Sequence, residues 1–157
     1  MKRDRLRPLA ITCSALLLTL LPIARPAFAT LGRSGNDIAA DQKAMKLETS
    51  KTATSHGYRI VTMTSSDFSV KEYVNPQSGA VFGVSWKGTH PPDIATLLGF
   101  NPNSMHGPGV YLSLRFDHIE TPTLFLEFGG LAGSYTGRAV RLDMMPAGAT
   151  ASEVTLP

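Results

Sequence analysis

The chain has 157 residues and looks basic, with 15 Lys and Arg against 12 Asp and Glu. Five of those cations (Lys2, Arg3, Arg5, Arg7 and Arg25) and only Asp4 fall in the first 29 residues, which leaves 10 basic and 11 acidic groups in residues 30–157. A near-neutral remainder with its cations scattered from Arg33 to Arg141 lacks the electrostatic footprint of a nucleic-acid or anionic-lipid partner, so those classes are excluded.

The opening segment reads as an export signal. A basic start is followed by an apolar run from Leu9 to Ile23, and Ala27-Phe28-Ala29 places small residues where a signal peptidase reads them. The run is shorter than the roughly 20 residues a spanning helix needs, and Pro22 and Arg25 close it. Cleavage after Ala29 would leave Thr30 at the start of a periplasmic or secreted protein with no transmembrane segment. Cys13, the only cysteine, would be lost with the signal, so the product would have neither a disulfide nor a thiol nucleophile.

Residues 30–56 contain no aromatic residue and read as a flexible or weakly helical leader. Ile38, Met45 and Leu47 make a thin apolar stripe, which predicts one weak helix between Asn36 and Glu48 with Asn36 or Ser34 as its cap. Lys51 to Gly57 reads as a linker. At Tyr58 the pattern changes. Tyr58, Ile60 and Thr62 alternate with Arg59, Val61 and Met63, the period of a strand. A second strand follows over Phe68–Val74, where Glu72 shares its parity with Phe68, Val70 and Val74, and Lys71 and Tyr73 take the other face. The Asn75-Pro76-Gln77-Ser78-Gly79 turn leads to a third strand with Phe82, Val84 and Trp86 on one face.

Pro91-Pro92-Asp93 suits a helix entrance, and Ile94, Leu97 and Leu98 form an apolar stripe that ends at Gly99. Strand character returns at Val110–Phe116, Thr123–Phe128 and Tyr135–Leu142, with Gly129, Gly130 and Gly133 as a hairpin loop between the last two. Thr150-Ala151-Ser152-Glu153 has the spacing of a capping box for one short turn. The predicted architecture is α+β: an antiparallel sheet of about five or six strands with one short helix packed on it, as a domain over residues 57–157.

The block from Lys71-Glu72-Tyr73-Val74-Asn75 through Val81-Phe82-Gly83-Val84-Ser85-Trp86-Lys87-Gly88 resembles an uncharacterised family of small exported Gram-negative proteins, domain of unknown function family 2844. Ala29-Thr30-Leu31-Gly32, the Asp93-Ile94 to Leu97-Leu98-Gly99 pattern, Gly137-Arg138-Ala139 and Met145-Pro146-Ala147-Gly148 extend the resemblance over residues 29–157. It implies a small exported domain and supplies no reaction, cofactor or catalytic residue.

The residues themselves carry little chemistry. His56, His90, His106 and His118 lie too far apart in sequence for a ligand pair on one element, so no metal is expected. His118 with Asp117 and Glu120 amounts at most to half a carboxylate site. Gly83-Val84-Ser85-Trp86-Lys87 has lysine where a nucleophile elbow needs its second glycine. Glu72 sits among apolar positions, which points to a structural ion pair with Arg59, Arg138 or Arg141 or to a local bulge. Tyr73, with Lys71 and Glu72, is the one candidate interaction surface, set against burial in the core or under the leader. The expectation is a non-enzymatic envelope module that binds a protein or polymer, without catalytic residues or cofactors. The alternative is a periplasmic enzyme or enzyme accessory whose site is assembled only by the fold.

Overall fold

The computed structural model describes residues 31–105 and 116–157. The expected signal over residues 1–29 and most of the expected Val110–Phe116 strand lie outside them. Among the described residues seven strands form one antiparallel sheet: β1 (Thr49–Ser55), β2 (Tyr58–Thr64), β3 (Phe68–Val74), β4 (Val81–Gly88), β5 (Phe116–Glu120), β6 (Leu124–Leu131) and β7 (Ser134–Arg141). Their order across the sheet is β1-β2-β3-β4-β7-β6-β5. The two hairpin systems therefore join at β4 and β7, and the chain crosses between them through α2 (Ile94–Leu98) and a 3-10 turn at Pro102–Met105.

The strand count exceeds the expected five or six, and one addition lies where a linker was expected. Residues 49–55 pair with β2 along their whole length, from Thr49 opposite Thr64 to Ser55 opposite Tyr58. The helix expected in the leader is α1 (Ile38–Ala44), whose N-cap position falls on Asp37 with no side-chain cap. Ser34 instead accepts a hydrogen bond from the Asn36 backbone N–H at 3.2 Å. The leader is stitched to the meander: Gly32 N–H donates to Val81 O at 2.7 Å and Val81 N–H to Arg33 O at 2.8 Å.

Alternation along the strands divides the apolar residues between two faces. The larger cluster lies under the helices and joins Leu31, Ile38 and Leu47 to Val61, Met63, Val70, Val84, Trp86, Leu97, Leu98, Leu126 and Phe128. The smaller contains Tyr58, Tyr73, Phe82, Val140 and Val154. Phe82 thus leaves the face of Val84 and Trp86, contrary to its sequence parity. The cause is a bulge: Tyr73 pairs with Gly83 and Val74 with Val81, so Phe82 is the extra residue and the alternation restarts after it. Gly129 and Gly130 belong to β6 rather than to a loop, which leaves Ala132-Gly133 as the turn. The Thr150–Glu153 turn forms as a 3-10 segment over Ala151–Glu153, but no side chain caps it.

Candidate functional site

Tyr73 lies on the face opposite Val70 and Glu72, yet it is buried rather than exposed. The last residues cross this face as a strap, and the sheet holds the strap by its backbone. Tyr73 Oη donates to Thr155 O at 2.8 Å and accepts from Thr155 N–H at 3.0 Å. Ser85 Oγ donates to the same carbonyl at 2.8 Å, Lys71 Nζ to Leu156 O at 2.7 Å and Arg138 Nη1 to Val154 O at 3.2 Å. Beneath them, Tyr58, Tyr73 and Phe82 pack ring against ring with centroids 5.3–6.2 Å apart. The candidate surface of Tyr73, Lys71 and Glu72 therefore does not exist as one. Lys71 and Tyr73 bind the chain's own C-terminal segment, and Glu72 points the other way.

Glu72 is fully buried in the helix-side cluster, with neither carboxylate oxygen hydrogen-bonded. Its expected ion pair is not formed. Arg59 Nη2 donates to Gly35 O at 3.1 Å, Arg138 pairs with Glu127 at 2.7 Å, and Arg141 pairs with Asp143 at 2.8 Å. Asp41 of α1 is buried beside the same cluster, with its Oδ1 unpartnered. Desolvation pushes the Glu72 carboxyl up to about 8, helped by the Asp41 charge and opposed by Arg59. The Asp41 carboxyl is pushed up to about 6, again chiefly by burial. Sequence parity placed Glu72 on this face, but nothing in the sequence linked it to Asp41.

An open cleft of about 470 Å³ lies between the end of α1, the β2–β3 turn and the start of α2, within the size range of small-molecule sites. Met45, Phe68 and Leu97 contribute apolar surface, and Asp67 and His90 bring a carboxylate and an imidazole. His90 Nδ1 lies 3.7 Å from Asp67 Oδ2 and 2.9 Å from Thr89 Oγ1. A hydroxyl–imidazole–carboxylate relay uses both ring nitrogens, whereas here both partners address Nδ1. Ser65 Oγ donates to Asp67 Oδ1 at 3.0 Å and so belongs to the turn, not to a base. His118 Nε2 lies 3.5 Å from Glu120 Oε2, an exposed contact on β5. Among the described residues no three His, Cys, Asp or Glu side chains converge as metal ligands.

The sheet also has an exposed edge at β1. Thr49–Ser55 carries seven residues, six of them exposed, and among the described residues only β2 pairs with it. Its run of paired partners is unbroken by any bulge.

A model of the family described as "Protein of unknown function (DUF2844)" matches residues 27–154. The chain belongs to that family. Its matched region takes in α1, every strand among the described residues and the strap only as far as Val154, so the leader is part of the family's domain and not an appendage to it. Comparison with curated proteins and with solved structures found no match. Among the described residues no helix is long and apolar enough to cross a membrane.

Proposed function

We propose that the protein is exported to the cell envelope and works there by binding, with β1 as the docking edge for an extended segment of a partner protein. The observation that carries this reading is the β1 edge itself. A seven-residue strand with continuous register offers a row of backbone donors and acceptors to an incoming strand. Natural edges are commonly blunted by proline, bulges or charged side chains, lysine above all; β1 has no proline and no bulge and a single lysine, Lys51. The export signal over residues 1–29 supports the location. A periplasmic enzyme or accessory is the second reading, favoured by the Asp67–His90 pair in the cleft.

Site-specific photo-crosslinking in envelope preparations separates the two. A crosslinker at Thr52 is expected to yield a discrete adduct, with none from Ser66 at the cleft. An adduct from Ser66 alone would move the binding site to the cleft. N-terminal sequencing of the envelope protein is expected to read from Thr30, and an intact Met1 would remove the export argument.

A further inference from the structure

Two carboxylates from different elements are buried in the apolar layer beneath α1, near enough for the Asp41 charge to act on Glu72. Asp41 is 3% exposed and Glu72 0%. Asp41 Oδ1 and both Glu72 oxygens lack a hydrogen bond, an arrangement that ordinary core packing does not favour. The residues directly opposite Glu72 across the sheet are Val61 of β2 and Val84 of β4, and neither offers it a hydrogen-bonding side chain. The α1 segment itself is short, seven residues, and is anchored by its own Ile38 and, on either side, by Leu31 and Leu47.

We propose that Asp41 and Glu72 form a proton-controlled latch: α1 stays docked while the carboxyls are neutral, and their ionisation drives the helix and its apolar anchors off the sheet. The charges acting on the pair come from three places. Asp37, one turn before Asp41, opposes ionisation of Asp41, and Arg33 favours it. The two partly offset each other, since Arg33 Nε lies 3.9 Å from Asp37 Oδ2. From β2, Arg59 favours the Glu72 anion, but its guanidinium is engaged with Gly35 O and gives that anion no hydrogen bond.

The sign follows from folded-state values above the ordinary ones. A carboxyl whose affinity for its proton is raised by docking contributes fully below its undocked value and loses that contribution as pH rises to its docked value. For Asp41 the loss runs from 3.8 to about 6, and for Glu72 from 4.5 to about 8. Ionisation of either group across its window weakens docking. The helix is therefore held most firmly in acid and most weakly near pH 8.

Amide hydrogen exchange on the purified protein tests this. The Asp41 and Met45 amides, bonded to Asp37 O and Asp41 O, report on α1, and β4 amides serve as the internal reference. After correction for intrinsic rates, α1 protection relative to β4 is expected to fall at least tenfold between pH 5 and pH 8. Glu72→Gln should remove most of that fall. An unchanged ratio in the wild type overturns the latch, as does an equal fall in the Asp41→Asn/Glu72→Gln double variant. Trp86 emission shows whether a variant keeps its core, and where one does not, the wild-type ratio decides.

Discussion

Trp86 is 1% exposed and lies across a gap left for it on the neighbouring strand. Its partner on β7 is Gly137, and a Cβ there would run into the indole and into the Cβ of Phe128. The glycine therefore makes room for the ring. Trp86→Ala is expected to cost about 3–5 kcal/mol. Since a domain of this kind holds about 5–15 kcal/mol, the variant should be barely folded in a urea titration. Gly137→Ala tests the same packing from the other side and should cost about 1–3 kcal/mol by overfilling it. Native tryptophan emission should be blue-shifted and poorly quenched by iodide. A solvated spectrum with normal melting of Trp86→Ala would refute the packing. Tyr73→Phe keeps the ring and removes only the hydroxyl that both donates to and accepts from Thr155. A loss of about 1–3 kcal/mol in the same titration is expected. The Trp86 environment was legible in the alternation of its strand. That of Tyr73 was not, because the strap that covers it has no periodic pattern to announce where it packs.

The β1–β2 hairpin turns on His56 and Gly57, both with positive φ, at 52° and 81°. Two such residues in a two-residue loop are the signature of a tight hairpin whose twist matches its strands. Asparagine tolerates this backbone and a β-branched residue does not. His56→Asn should melt at or above the wild-type temperature, whereas His56→Val should lose about 1–2 kcal/mol. This turn was also the one local sign of β1. Thr-Ser-Lys-Thr-Ala-Thr-Ser carries no large apolar residue, so an apolar/polar alternation could not reveal it. An edge strand with both side-chain rows in solvent has no such alternation to show. The β2–β4 meander was readable for the opposite reason, since burial of its residues writes large apolar side chains into the sequence. Phe82 is the exception within it, displaced by a bulge that depends on strand pairing. Asp41 and Glu72 show a third limit, because only helix docking buries them in the same layer.

Stability of the whole domain rests on two apolar layers, one on each face of a single sheet, with neither a cross-link nor a clustered ligand set among the described residues. A chelator is accordingly expected to leave the melting temperature unchanged. A drop of several degrees would reveal a metal that these residues do not suggest. The second layer is sealed by Val154, fully buried against Gly83, and by the backbone contacts of Thr155. Its sealing sets an order on folding. The β2–β4 meander is local in sequence and can form as soon as residues 58–88 are free. The free side of β4 must wait for β7, and Tyr58 waits for Glu153, 95 residues further on. Contacts of such separation slow folding, since loop-closure entropy is lost before they form. A chain that crosses a membrane from its N-terminus would thus emerge with its aromatic face uncovered, and would close it only when its final residues arrived.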